Sequence, residues 1–316
     1  MKRLLLIFAV AILLFGCIQM PGGATSGQTG GTSGTGQGAG AQSGATGGGV
    51  STGTADTGTT GQGTGTAQDT GTQDTGTQDS GTSSSGSTGT QTTTLKNKEI
   101  SYISGAWKIY GTLYDSVDKT PKRAIILIPM LGEARDSYPI SFIEKLHDGF
   151  PDALVIAIDP RGHGKSTNLG TWNDFDADMF KDMKTDILTL RTKYVQPNYP
   201  DVETFYAVGA SMGSSSAIMA GAQEKTINKL VMISPGMEYQ GVDITAGVED
   251  YVHPILLISS TGDDYSESSI SQIKSISGRP ELETKMYSGS AHGTDLFADT
   301  AGTSQPLEDA IVGFLK

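Results

Sequence analysis

The sequence predicts an α/β fold with a mostly parallel sheet of about eight strands flanked by helices, and three observations carry that expectation. Short, wholly apolar runs such as Ala124–Ile128 and Ala153–Ile158 suit strands covered on both faces, as parallel strands are. Between such runs lie segments of helical period, where Met179, Met183, Ile187, Leu190 and Tyr194 recur at spacings of three and four. Strands and helices also alternate along the chain, the pattern of βαβ units.

The elements follow in order. Ile100–Tyr102 and Trp107–Tyr114 read as an antiparallel pair turning at Gly105, with Trp107, Ile109 and Leu113 alternating on one face. After the strand at Ala124–Ile128 a helix is expected from Ser137 to Asp148, then the strand at Ala153–Ile158 and a helix from Asp176 to Tyr194. Thr204–Gly209 reads as a strand running into a helix over Ser211–Ala222. Lys229–Ile233, Ile255–Ser259 and Leu282–Tyr287 complete the strands, with helices at Ser266–Ile276 and Leu307–Phe314. This part, residues 95–316, is long enough for one well-buried core.

The first 94 residues differ in kind. Lys2 and Arg3 precede an unbroken apolar run from Leu4 to Phe15, shorter than the roughly 20 residues a membrane-spanning helix needs. The run ends in Leu14-Phe15-Gly16-Cys17, which resembles the lipobox of prokaryotic lipoproteins. That resemblance implies a signal peptide over residues 1–17 and a lipid anchor on Cys17, the single cysteine of the chain. It also implies a protein secreted to the outer face of the cytoplasmic membrane. Residues 18–94 are Gly, Thr, Ser and Gln with almost no apolar side chain, so they are expected to form a disordered tether. A flexible coil of about 77 residues has an r.m.s. span of about 45–50 Å.

Composition narrows the partners. A formal net charge of −12 repels nucleic acid and anionic lipid headgroups. One cysteine allows no disulfide within a monomer, and the four histidines share no metal-ligand spacing, so neither a metal nor another cofactor is expected.

Chemistry concentrates in three later segments. Gly209-Ala210-Ser211-Met212-Gly213 joins an expected strand to an expected helix, a G-x-S-x-G elbow in the context that gives the pattern meaning. Ser211 is the candidate nucleophile, with a plain structural turn as the other reading. Its hydroxyl needs a base, and His292, in Gly289-Ser-Ala-His292-Gly293 after the last strand, stands where one belongs. The acid that would orient the imidazole is expected in the turn after Ile255–Ser259, at Asp263 with Asp264 as rival. One of those two carboxylates is expected to cap the helix beginning near Ser266. Glu238 and Asp243 are the next candidates.

The order Ser, Asp, His and the segment Asp159-Pro160-Arg161-Gly162-His163-Gly164-Lys165-Ser166, similar to a D-x-R-G-x-G-x-S turn, resemble the α/β-hydrolase superfamily over residues 100–316. The resemblance implies a structural role for His163. It also implies an oxyanion hole from two backbone N–H groups, one at Met212 and one in the loop Pro129-Met130-Leu131-Gly132. Pro129 has no N–H, which leaves Leu131 first and Met130 second. Many relatives carry His-Gly there, so Met130 would have to adopt angles that glycine takes more easily. The span from Pro235 to Pro254 is too short for a sizeable lid, and Met130, Leu131, Met212, Met237 and Tyr239 are expected to line an open apolar pocket.

These readings imply a membrane-anchored extracytoplasmic serine hydrolase acting on small carboxylic esters or thioesters. A peptidase or amidase on the same fold, and an inactive surface-displayed binding module, are the alternatives.

Overall fold

The computed structural model describes residues 95–115, 120–279 and 282–316, all of which fall in one compact unit, Ser84–Lys316. The expected signal peptide, Cys17 and the expected tether lie outside the described residues.

The opening pair is β1 (Lys96–Ser104) and β2 (Trp107–Asp115), antiparallel because only Gly105 and Ala106 join them, with burial alternating along both. β3 (Arg123–Ile128) leads through α1 (Ile140–Gly149) to β4 (Ala153–Asp159), every residue of which is buried. A helical stretch follows: α2 (Ala177–Thr189), a wider π turn over Leu190–Val195, and the single turn α3 (Gln196–Asn198). The widening has a local cause. Pro197 brings no N–H to the helix ladder and its ring crowds the carbonyl four residues back, while the N–H of Gln196 reaches five residues back to Arg191.

β5 (Thr204–Ala210) feeds α4 (Met212–Glu224), and β6 (Ile227–Ile233) follows. The span after β6 holds a small hairpin, β7 (Glu238–Tyr239) with β8 (Val242–Asp243), and the short α5 (Thr245–Asp250). Gln240 and Gly241 both take positive φ (53° and 74°), the conformation a two-residue hairpin turn needs. The chain then runs through β9 (Ile255–Ser260), α6 (Asp264–Ser277), β10 (Leu282–Tyr287), α7 (Leu296–Asp299) and α8 (Leu307–Leu315).

Eight strands form one sheet in the order β1-β2-β4-β3-β5-β6-β9-β10. The pairs β1/β2 and β2/β4 are antiparallel and the rest are parallel. Alternate residues of β3 divide the core: Ala124, Ile126 and Ile128 face a layer with Phe180, Met183, Ile218, Val248 and Ile273. Ile125 and Leu127 face the other, with Phe142, Leu146, Phe297, Leu307 and Ile311. Helices α2, α4, α5 and α6 thus cover one face and α1, α7 and α8 the other, which puts the loops after β3, β5, β6, β9 and β10 at one end of the sheet.

The turn after β4 is a rigid corner. The Asp159 carboxylate accepts from the backbone N–H of Arg135 at 2.9 Å and of Lys165 at 3.0 Å, and Gly164 passes so close that a Cβ would lie 2.4 Å from Asp159 Cγ. His163 is buried, donates Nδ1–H to the Arg161 carbonyl at 2.9 Å and stacks on Trp172. Burial holds its pKa below the usual imidazole value, so it sits there neutral. Arg161 reaches across to Asp186 of α2, at 2.8 Å with the carboxylate fully buried, and to Asp182 at 3.5 Å, which is 65% exposed.

That contrast sets an expectation. Asp186→Ala leaves a buried guanidinium without its main partner and should destabilise the fold by about 3–5 kcal/mol. Asp182→Ala, at a solvated carboxylate, should cost no more than about 1 kcal/mol. Urea denaturation of both variants checks it, and equal losses would contradict it.

Candidate active site

Ser211 stands between the last residue of β5 and the first of α4 with φ 49° and ψ −117°, a conformation that side chains resist. Two glycines make the bend passable. A Cβ on Gly209 would lie 2.5 Å from the carbonyl oxygen of Gly213, and one on Gly213 would lie 2.4 Å from that of Ile128 at the end of β3. The Ser211 N–H donates to Ile233 at 2.8 Å, which ties the bend to β6.

The structure brings Ser211, His292 and Asp263 into one hydrogen-bonded chain. His292 Nε2 lies 2.9 Å from Ser211 Oγ, and His292 Nδ1 lies 2.7 Å from Asp263 Oδ2. The carboxylate can only accept, so Nδ1 carries the proton and Nε2 offers a lone pair to the serine hydroxyl. Burial pushes the Asp263 carboxyl up, but hydrogen bonds from Ser266 and His292 outweigh it and hold the group below the ordinary carboxylate value. Asp263 is therefore ionised at neutral pH.

The two neighbouring carboxylates do not divide their tasks as expected. Asp263 makes both contacts: its Oδ1 caps α6 by accepting from the Ser266 N–H at 3.3 Å while Oδ2 meets His292. Two oxygens on one carboxylate suffice because the helix begins immediately after it. Asp264 is the first residue of α6 and is exposed. Asp243 accepts from the Thr245 N–H at 2.8 Å, and Glu238 sits exposed in the hairpin.

A cavity of about 460 Å³ opens over Ser211 and His292. Met130, Leu131, Met212 and Tyr239 line it as expected. Met237 does not: its side chain belongs to the core, and its backbone N–H is held by Ser269 Oγ at 3.1 Å. Trp172 and Tyr265 take part in the wall instead, together with Ser234 and Gly236. Tyr265 crosses Gly236, where a Cβ would come within 2.8 Å of its ring, and its hydroxyl donates to the Glu238 carbonyl. The proximity of Tyr265 to Asp263 along the chain was a usable signal. Trp172 offered none, because it reaches the cavity only through the corner after β4.

Met212 begins α4, and Met130 and Leu131 occupy the loop after β3; all three line the cavity with Ser211. That loop places its positive φ at Gly132 (87°), so neither Met130 nor Leu131 needs a conformation reserved for glycine. The Met130 thioether packs on Gly293, where a Cβ would come within 2.5 Å of Sδ.

Comparison with known proteins agrees with this architecture. The family model described as serine aminopeptidase, S33 (Hydrolase_4) matches residues 119–246, a span that includes the elbow and ends before Asp263 and His292. No curated protein matches the sequence. Among solved structures, the Pyrococcus furiosus esterase Pf2001 aligns with TM-score 0.57 at 19% identity, over 70% of this chain and 92% of that one. A thermostable carboxyl esterase from Bacillus coagulans aligns with TM-score 0.54 at 18% identity, over 70% and 98%. A dienelactone hydrolase from Anabaena variabilis aligns with TM-score 0.52 at 15% identity, over 70% and 95%. The eight-stranded sheet, its strand order and these likenesses establish that the described part of the chain has the α/β-hydrolase fold.

Proposed function

We propose that this protein is a serine hydrolase that cleaves carboxylic esters or thioesters through an acyl-serine intermediate. The observation that carries the reading is the chain Ser211–His292–Asp263, at 2.9 and 2.7 Å, opening into a cavity with a largely apolar wall. His292 Nε2 takes the hydroxyl proton as Ser211 Oγ adds to the substrate carbonyl. The carbonyl oxygen becomes an oxyanion, for which Met212 N–H at the start of α4 and Leu131 N–H are the proposed donors, with Met130 second. Collapse expels the alcohol or thiol, which takes the proton from His292. Water then repeats the sequence on the acyl-serine and releases the acid.

The description of the matching family raises a peptidase as the second reading. An aminopeptidase must bind the ammonium of its substrate, and a carboxylate is the natural partner for it. Among the described residues lining the cavity the one carboxylate is Asp263, and His292 already occupies it. The wall of Met130, Leu131, Trp172, Tyr239 and Tyr265 favours a neutral, apolar acyl or alcohol group. The esterases among the structural likenesses support the same choice. An inactive binding module would leave the hydrogen-bonded serine without a purpose.

Labelling with a fluorophosphonate and turnover of p-nitrophenyl esters test this reading together. Labelling is expected in the native protein and not in Ser211→Ala, with esters turned over and aminoacyl p-nitroanilides left intact. Asp263→Asn should keep the helix cap, and so the melting temperature, while kcat falls by about 10⁴ as the imidazole adopts the wrong tautomer. Asp264→Asn should change neither. A native protein that resists the label, or an Asp263→Asn variant within tenfold of native kcat, would contradict the assignment.

We further propose that residues 95–316 are the catalytic unit, tethered through residues 18–94 to a lipid on Cys17 at the outer face of the cytoplasmic membrane. The apolar run ending at Gly16-Cys17 and the polar composition after it support this. Cys17→Ser is expected to leave uncleaved precursor or to release protein into the medium. Correct processing with unchanged partitioning into the detergent phase would contradict the anchor.

A further inference from the structure

His292 belongs to the loop after β10, yet its ring must reach Ser211 beyond the end of β5. In the sheet order β5-β6-β9-β10 two strands lie between them, so the loop crosses about 14 Å of strand ends. Each of the two strands it passes presents a buried serine. Ser260, the last residue of β9, is fully buried and donates its hydroxyl to the carbonyl of Ala291 at 2.7 Å. Ser234, directly after β6, is 1% exposed and its Oγ accepts the N–H of Gly293 at 2.9 Å. The peptide groups on both sides of His292 are thus held by side chains of the strands below.

Ser234 carries a further mark. Four described residues other than glycine have positive φ: Ser211, Lys225, Ser234 and Gln240. Lys225 ends a helix and Gln240 sits in the hairpin turn, where such angles are ordinary. Ser234, at φ 48°, has neither excuse, and glycine would adopt that backbone with less strain. What glycine lacks is the oxygen that holds Gly293. Its own backbone N–H donates to Ile258 of β9 at 2.7 Å, which fixes the serine on the sheet.

We propose that Ser234 and Ser260 are positioning residues that set the place of the His292 ring between Ser211 and Asp263 by clamping the backbone on either side of it. The proposal rests on the reading of His292 as the base. Without the clamp the ring shifts relative to both partners, and a misplacement of about 1 Å can cost about 100-fold in rate. Substrate binding is little affected, because the wall is dominated by Met130, Leu131, Trp172, Tyr239 and Tyr265, Ser234 contributes only a 1% exposed edge to it and Ser260 does not line it.

The test uses Ser234→Gly and Ser260→Ala in the full-length protein. Ser269→Ala serves as control, since it removes a comparable buried bond, to the N–H of Met237, that does not reach His292. Both clamp variants should lose about 10- to 100-fold in kcat with KM within about twofold. Ser234→Gly should melt within about 3 °C of native, because relief of strain offsets the lost bond. Ser269→Ala should keep native kcat. In proton NMR the downfield resonance of His292 Nδ1–H, assigned by its loss in His292→Gln, should shift or broaden in both clamp variants and remain in the control. That resonance needs no turnover, so it tests the clamp even if Ser211→Ala were to show that ester cleavage does not use the serine. Clamp variants with native kcat and an unmoved resonance, or a control that loses as much as they do, would overturn the proposal.

Discussion

Gly213 approaches the end of β3 so closely that a Cβ there would lie 2.4 Å from the carbonyl oxygen of Ile128. That contact lets the first turn of α4 sit directly against the strand ends. The distances that matter at the site follow from it. If α4 stood one methyl group further out, Ser211 would move away from His292 and Met212 away from the loop of Met130 and Leu131. The strained φ of 49° at Ser211 is the local cost of keeping the helix close, and the parallel register of β3, β5 and β6 beneath holds the strain in place.

Around this bend the fold gathers groups from segments far apart in the chain. Asp263 comes from the turn after β9, His292 from the loop after β10 and the second proposed oxyanion donor from the loop after β3. A parallel sheet brings such loops to one end because successive strands point the same way. Asp263 is economical in its use of atoms: one carboxylate oxygen stabilises the start of α6 and the other accepts from His292 Nδ1, so helix and candidate site are held by the same residue. The aromatic wall is similarly composite, with Trp172 from the corner after β4, Tyr239 from the hairpin and Tyr265 from α6.

Much of this was legible in the amino-acid sequence, for reasons that can be named. All eight strands of the sheet were expected, the clearest of them because apolar runs such as Ala124–Ile128 and the alternation of Trp107–Leu113 reflect burial directly. The elbow was legible because its glycines answer a local steric demand, and His292 because it follows the final strand. Other features depend on tertiary juxtaposition. Ser234 and Ser260 look like any serine at a strand end until the loop after β10 is seen to cross them. Met237 looked like a wall residue because it is apolar and near the right turn, yet the hairpin turns its side chain into the core. The dual use of Asp263 was hidden by two residues of helix boundary: a helix starting at Ser266 invites two carboxylates to share the work, and one starting at Asp264 does not.

The central claim is that Ser211 forms a covalent acyl intermediate, and the most direct measurement is to trap it. The protein is mixed with p-nitrophenyl acetate, quenched in acid while turnover is in progress, and its peptides are weighed. The account predicts an initial burst of p-nitrophenolate approaching one per chain and a single acetyl group on the peptide that contains Ser211. Acetyl carried by a different residue, or ester hydrolysis at the native rate after Ser211→Ala, would contradict it.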